Sequence, residues 1–238
     1  MPKAFVTGAT GYTGQAVVKE LLHHGLPVVA HIRPDSSKLD TWREMFLGLG
    51  AQVDTSAWTV DALGEALSRH QPKLIFSLIG TTRHRAAEEG MGASEAYERV
   101  DYGLSRCLLD ATQQSGVMAT FVYLSAMGAR AGASNPYMAV RGRFEAELRD
   151  TGLPYLIARP AFITGDDRAE SRPMERVGAS LIDVALKPLT WMGLGQTRDQ
   201  YASMDSSTLA RGLVRGALDA DSIGKTVGPA EIRALAKR

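Results

Sequence analysis

The sequence predicts an α/β protein, a parallel sheet doubly wound by helices with a small C-terminal cap, and three observations predict it. Short β-prone apolar runs alternate with segments of helical periodicity from Ala4 to Arg159. A glycine-spaced turn stands at the first strand-to-helix junction. The chain of 238 residues, 45% hydrophobic and 22% charged, has the bulk for one full core plus an appendage, which disfavours a disordered chain or a small disulfide scaffold.

Ala4-Phe5-Val6 make the first strand, and Val17, Val18, Leu21 and Leu22 then recur at helical spacing until Gly25 offers a stop. Val28 to Ile32 reads as a second buried strand, broken by Pro34-Asp35-Ser36-Ser37 before a helix around Leu39 to Leu47. Gln52-Val53 is a weak third strand, Val60 to Leu67 a helix, and Leu74 to Ile79 an apolar fourth strand closed by Gly80. From Ser94 to Ser115 the residues Ala96, Val100, Leu104, Leu108 and Ala111 form the stripe of a long helix. Thr120 to Ser125 is the fifth strand, Pro136 to Asp150 the next helix and Tyr155 to Arg159 the sixth strand. Right-handed crossovers between such strands give a parallel sheet covered on both faces. After Pro160 the rhythm fails. Ala161 to Arg172 is a polar loop, Met174 to Leu186 a helix, Pro188 to Gln200 irregular, Ser206 to Leu218 a helix, and the tail a short strand plus helix. The expected division is a sheet unit over residues 1–160 and a cap over 161–238.

Lys+Arg 27 against Asp+Glu 26 leaves a net charge of +1, without the broad positive field that nucleic-acid binders use, so no nucleic-acid partner is expected. Cys107 is the single cysteine, so neither an internal disulfide nor a cysteine zinc site can form; this fits a reducing compartment, and the expected location is the cytoplasm. The apolar run within Met1 to Gly8 is too short for a signal peptide, and no stretch approaches the roughly 20 apolar residues of a membrane span.

Thr7-Gly8-Ala9-Thr10-Gly11-Tyr12-Thr13-Gly14 carries the most information. Its missing side chains let backbone N–H groups approach a pyrophosphate at the positive end of the helix dipole. A strand before it and an amphipathic helix after it raise the motif above a mere tight turn and give the 1–160 unit the Rossmann pattern of a dinucleotide-binding domain. Gly8, Thr10, Gly11, Tyr12, Thr13 and Gly14 are the expected cofactor contacts. The acidic residue usual after the second strand of an NAD binder is absent, and Arg33 stands there instead. A guanidinium grips a 2′-phosphate through charge-assisted hydrogen bonds worth about 1.5–3 kcal/mol each, which favours NADP(H) by roughly ten- to a hundredfold. Asp54, past the third strand, reads equally as an adenine contact or a turn cap.

Tyr137 and Arg141 lie within about 60° of the Val140, Phe144 and Leu148 stripe of their helix, so a phenol and a guanidinium are aimed inward. An inward Arg requires an anion or acceptors, with Glu145 one turn away as the simplest partner, and a buried Tyr needs a hydrogen-bond partner. Ser125, at the end of the fifth strand, is expected at the same crevice, at the carboxyl ends of the strands where open α/β sheets bind ligands; its alternative is to cap the following turn.

The G-x-x-G-x-x-G spacing, Ser125 and Tyr137 resemble the short-chain dehydrogenase/reductase superfamily in its extended or atypical branches. Gly80-Thr81-Thr82-Arg83, Leu124 to Ala129, Tyr137 to Glu147, Arg159-Pro160 and Glu170-Ser171-Arg172-Pro173 are together similar to the Tat-interacting-protein-like oxidoreductases, an atypical NADP-binding branch. The likeness runs from Lys3 to about Gly216. It implies hydride transfer between nicotinamide and a small carbonyl or alcohol. Ser125 would hold the oxygen, Tyr137 exchange the proton and Arg141 tune Tyr137 and fix the ribose, while Ile79, Gly80, Thr81 and Pro160 would line the cofactor. Arg141 stands where the family carries lysine. A tyrosine working near neutrality needs its pKa lowered by roughly 2 to 3 units from about 10, or about 3 to 4 kcal/mol. A guanidinium centred about 6 Å away supplies about 3 kcal/mol at an effective dielectric of 20. Lysine at 141 is expected to keep or raise turnover.

The five histidines lack ligand-like spacing, so no metal is expected. A hydrolase reading fails because Ser125 has neither a G-x-S-x-G elbow nor a histidine after it. Arg168, Arg172 and Arg176 read as closing a lid by pairing with Asp166, Asp167 and Glu170, and Leu181 to Leu194 as a cleft wall. The leading reading is an NADP(H)-dependent oxidoreductase acting on a small-molecule substrate. Its rivals are an NADP(H)-binding redox sensor or scaffold signalling to a protein partner, and epimerase or lyase chemistry with retained cofactor.

Overall fold

The computed structural model describes residues 1–88, 90–161, 163–164 and 203–238. Seven parallel strands form one sheet in the order β3-β2-β1-β4-β5-β6-β9. They are β1 (Ala4–Thr7), β2 (Val28–His31), β3 (Gln52–Asp54), β4 (Leu74–Ser77), β5 (Thr120–Leu124), β6 (Tyr155–Ala158) and β9 (Lys225–Val227). A separate two-stranded ladder pairs β7 (Ile163–Thr164) with β8 (Met204–Asp205).

Alternation along each strand feeds two cores. Ala4 and Val6 of β1 join Val28, Ala30, Phe76, Val122 and Leu156 on one face. That face is covered by α1 (Tyr12–His23), α2 (Leu39–Gly48), α8 (Ser206–Leu218) and α9 (Pro229–Lys237). Phe5, Val29, Ile75, Phe121, Tyr123 and Ile157 point the other way, beneath α3 (Val60–His70), α6 (Ser105–Ser115) and α7 (Pro136–Asp150). Burial on both faces is why these strands read as continuous apolar runs.

Side-chain caps mark several helix starts. Thr59 Oγ1 accepts from Ala62 N at 3.2 Å before α3, and Asn135 Oδ1 accepts from Tyr137 N at 2.9 Å before α7, which has Pro136 in its first turn. Asp205 does the same for Thr208 N at 2.8 Å before α8.

The structure differs from the sequence reading in four places. The tail expected as a cap on the edge of the sheet joins the sheet itself. Ala158 of β6 pairs with Val227 of β9, and Gly212 and Gly216 let α8 lie against Ile232, Leu235 and Leu156, so residues 203–238 are built into the sheet and its core. The β4 ladder stops at Ser77, and Leu78 to Gly80 leave it to line the end of the sheet. The long helix from Ala93 contains a π-helical stretch, Tyr97–Leu104, between the short α5 (Ala93–Ala96) and α6. Wider turns shift its buried face, so Tyr97, Asp101 and Ser105 are buried where Val100 and Leu104 were expected to lead. A short helix, α4 (Arg83–Glu88), was also not anticipated. The features read within residues 165–202, namely Arg168, Arg172, Arg176, the Met174 to Leu186 helix and the Leu181 to Leu194 wall, lie outside the described residues.

Candidate active site

The strand order reverses between β1 and β4, which opens a crevice at their carboxyl ends. Gly8 turns there at φ 71°, and a Cβ on it would stand 2.6 Å from the Leu78 carbonyl oxygen. A Cβ on Gly14 would stand 2.1 Å from Gly8 O, so that glycine lets α1 start directly against the turn. Gly11 differs from both. It is the N-cap of α1, donates its N–H to Gly8 O at 3.0 Å, and a Cβ there would meet Gly8 O alone, at 3.2 Å, among the described residues. Its N-cap glycine has no side chain to cap α1, and the first turn holds no acidic residue. This cradle, which a side chain at position 11 would enter, fits a dinucleotide pyrophosphate held by backbone N–H groups. Thr10 O is bonded by Gln15 Nε2 at 3.0 Å, Thr13 is buried, and Thr10 and Tyr12 are half-buried around the turn.

Arg33 follows β2 with its side chain 56% exposed and its Nη1 3.9 Å from Asp35 Oδ2. Asp54 is buried and committed within the protein: Oδ1 accepts from Ser56 N at 2.9 Å, while Oδ2 meets Arg69 Nη2 at 2.8 Å and His70 Nε2 at 3.1 Å. Burial pushes this carboxyl up, but the Ser56, His70 and Arg69 hydrogen bonds outweigh it and hold it below the ordinary range. Of the two roles open to Asp54, these bonds are those of a turn cap.

Across the crevice, Ile79 is buried, Gly80 is exposed and Thr81 is half-buried. Arg141 is buried beneath them. Its Nη2 donates to Asp101 Oδ1 at 2.5 Å and to Ile79 O at 3.1 Å, and its Nη1 donates to Leu124 O. Asp101 Oδ2 in turn accepts from Thr81 N at 3.0 Å. The partner of Arg141 is therefore Asp101 on the π-helical turn rather than Glu145, and the guanidinium is engaged by protein acceptors rather than left extended toward a ribose. Gly80 has no Cβ because one would stand 2.7 Å from Arg141 Nη2. The guanidinium carbon lies 5.0 Å from the Tyr137 ring centre and 5.6 Å from that of Tyr123. Tyr137 is half-buried against Tyr97, with ring centres 5.2 Å apart. The Tyr123 hydroxyl is buried without a hydrogen-bond partner among the described residues; burial raises its pKa to about 12 although Arg141 opposes the rise. Burial also raises the Asp101 carboxyl, against the pull of Arg141 and the Thr81 amide.

Ser125 is buried at the end of β5 and donates to Glu145 Oε1 at 2.6 Å. Glu145 also receives Arg159 at 2.8 and 2.5 Å and Arg149 at 2.9 Å. Pro160 is buried, and its carbonyl accepts from Met127 N at 3.0 Å, which ties the loop after β5 to the end of β6. Burial pushes the Glu145 carboxyl up, but the bonds from Arg159, Ser125 and Arg149 pull it below its ordinary value. A depressed carboxyl stabilises the fold above its unfolded pKa and loses that contribution as pH falls through the folded one. Glu145→Gln is accordingly expected to lower stability at pH 7 by about 3 kcal/mol, the low end for a broken buried ion pair because both guanidiniums keep contact with water. Its deficit shrinks below pH 4 in urea denaturation series; an equal deficit at pH 3 and pH 7 contradicts the assignment.

Sequence reasoning missed Asp101, Glu145 as the partner of Ser125, and Gly142. A Cβ on Gly142 would come 2.2 Å from the Arg130 carbonyl carbon, so α7 can lie on the loop after β5 only with glycine there. A glycine inside a helical pattern was the available signal. Among the described residues no group of three or more His, Cys, Asp and Glu is placed to hold a metal, and no helix is long and apolar enough to cross a membrane.

The chain is 30% identical over 224 residues to Protein fmp52-1, mitochondrial, of Aspergillus terreus, covering 92% of this chain and 89% of that one. It is 37% identical over 164 residues to the chloroplastic divinyl chlorophyllide a 8-vinyl-reductase of Oryza sativa subsp. indica, covering 65% of this chain and 38% of that one. The UDP-glucose 4-epimerase of Thermotoga maritima shares the fold with a TM-score of 0.66 at 18% identity, covering 99% of this chain and 80% of that one. The Aspergillus protein and further relatives of the same name are mitochondrial, which overturns the cytoplasmic location expected from the single cysteine. A lone thiol reports a reducing environment, and the cytosol is not the only compartment that supplies one. A family described as NAD(P)H-binding matches residues 8–183, including the glycine turn, Ser125, Tyr137 and Arg141, and the chain belongs to that family.

Proposed function

We propose that this protein is an NADP(H)-dependent oxidoreductase of the atypical short-chain dehydrogenase/reductase type, related to the Tat-interacting-protein-like branch, that reduces a small carbonyl compound or oxidises the alcohol. The observation that carries the reading is the half-buried Tyr137 phenol beside a buried guanidinium, across the crevice from an uncapped glycine turn. The vinyl-reductase relative supports redox chemistry over epimerisation.

The nicotinamide, when bound, supplies or accepts the hydride. Gly8, Thr10, Gly11, Tyr12, Thr13 and Gly14 would hold the pyrophosphate, and Ile79, Gly80, Thr81 and Pro160 would line the path beyond it. Arg33 would grip the 2′-phosphate. Tyr137 gives its phenolic proton to the substrate oxygen as the hydride arrives and takes it back in the reverse direction. Ser125 donates to Glu145 in this arrangement and would hold the substrate oxygen by turning its hydroxyl proton from Glu145 toward it. Residues 1–160 form the core of the dinucleotide unit, and the segment after Ala161 selects the substrate. The rival sensor reading rests on arginine replacing lysine; against it stands a cation retained beside Tyr137, its guanidinium carbon 5.0 Å from the ring centre.

Arg33→Ala is expected to weaken NADPH by roughly ten- to a hundredfold and to leave NADH unchanged, because only the 2′-phosphate meets the guanidinium. Fluorescence titration with both cofactors measures it. Equal Kd values for NADPH and NADH in the parent protein would remove Arg33 from the site. The reaction class is tested by NADPH oxidation at 340 nm across aldehydes, ketones and quinones, with turnover of at least one carbonyl class expected and tight cofactor binding without turnover against the proposal.

A further inference from the structure

Asp101 has no place in the reaction as described so far, yet it is one of the most completely enclosed charged groups in the protein, with a side chain 0% exposed. It lies on the π-helical turn, a stretch that costs backbone regularity and often marks a functional position. Its two oxygens face different parts of the site. Oδ1 receives Arg141 at 2.5 Å and Oδ2 receives the Thr81 amide at 3.0 Å. One carboxylate thus joins the turn proposed to line the cofactor to the cation beside Tyr137.

We propose that Asp101 is a positioning residue that neutralises Arg141 and thereby sets how strongly that cation acts on the Tyr137 phenol, while fixing the Gly80–Thr81 turn against the same guanidinium. The inference rests on the reductase reading of Tyr137. Among the described residues Arg141 of α7 and Tyr97 of the π-helical turn lie against the Tyr137 ring, and the same guanidinium meets Asp101 of that turn and the Tyr123 ring of β5. An uncompensated guanidinium here would favour the phenolate more strongly than one shared with a carboxylate does, so Asp101 moderates the cation's action on Tyr137. The Arg141 Nη2 hydrogens are divided between Asp101 and Ile79 O, so the pair also holds the end of β4 in place.

The test is a pH titration of cofactor-free protein labelled with 13C at the tyrosine ζ carbon, the Tyr137 resonance being the one lost in Tyr137→Phe. Asp101→Asn keeps the shape and an acceptor for Thr81 but removes both the charge and the second acceptor, that of Arg141. It is expected to lower the Tyr137 midpoint by about one pH unit, a tenfold change in acid dissociation. Arg141→Gln alone is expected to raise the midpoint, and Asp101→Asn with Arg141→Gln to bring it back toward the parent value. The alkaline limb of kcat/KM for carbonyl reduction should shift with Asp101→Asn in the same direction. Equal midpoints in the parent and Asp101→Asn would overturn the inference. If Asp101→Asn does not fold, Arg141→Gln carries the test, and a midpoint that fails to rise overturns it. A shifted midpoint without any turnover refutes the reductase reading and leaves the charge coupling standing; turnover with an unmoved midpoint refutes the coupling alone.

Discussion

Gly11→Val is expected to raise the Kd of NADPH and NADH alike by at least about a hundredfold while moving the melting temperature by no more than a few degrees. Position 11 has extended backbone, φ −75° and ψ 165°, which valine adopts without strain. Its Cβ would need only a few tenths of an ångström of give from Gly8 O, the one atom it approaches. The branched methyls then fill the cradle above α1, and losing two charge-assisted hydrogen bonds to the pyrophosphate, about 1.5–3 kcal/mol each, accounts for the expected factor. Gly14→Val is the contrasting control. Its Cβ would stand 2.1 Å from Gly8 O and 2.7 Å from Ala9 Cα, backbone atoms that cannot yield, so this variant is expected to unfold. Fluorescence titration with circular-dichroism melts separates the two, and undiminished affinity in Gly11→Val would refute the pyrophosphate assignment.

Arg141→Met is expected to be the most damaging single change near Tyr137. It leaves Asp101 buried without its cation and strips the carbonyls of Ile79 and Leu124 of their donor. Breaking a buried pair in this way costs about 3–5 kcal/mol, or roughly 10 °C in melting temperature for a chain of this size. Turnover should fall by orders of magnitude, with kcat affected more than cofactor affinity. Arg141→Lys will not restore it. The sequence alone suggests that lysine, the residue of the resembling family, would keep or raise activity. The two carbonyls and Asp101 are met by two separate guanidinium nitrogens, and a single ammonium nitrogen cannot stand at both positions. Steady-state kinetics and melts of both variants check this, and an Arg141→Lys enzyme faster than its parent would contradict it.

The local code was readable and the long-range pairing was not. The glycine turn, most strands and helices and the inward aim of Tyr137 and Arg141 depend on neighbours within one or two turns, and these lie where the pattern puts them. Asp101 and Arg141 are 40 residues apart, so their meeting depends on how the long helix lies over the sheet. The π-helical turn hid Asp101 further by rotating the buried face away from the Val100 and Leu104 stripe that ordinary helical spacing marks. Glu145 was visible one turn from Arg141 and was paired with it on spacing, whereas β6 and β5 bring Arg159 and Ser125 to the same carboxylate. The tail was read as an appendage because β9 is only three residues long, and nothing local reveals that Lys225–Val227 extends the sheet beside β6.

The most direct measurement is NADPH oxidation by the parent protein and Tyr137→Phe under identical conditions, with NADPH affinity titrated in parallel. Removing one hydroxyl from a half-buried ring should leave the Kd within about twofold and cut kcat by at least about a thousandfold, within the range that general acid catalysis contributes. Turnover in Tyr137→Phe equal to that of the parent would contradict proton transfer by Tyr137 and, with it, the reading of this crevice as a reductase site.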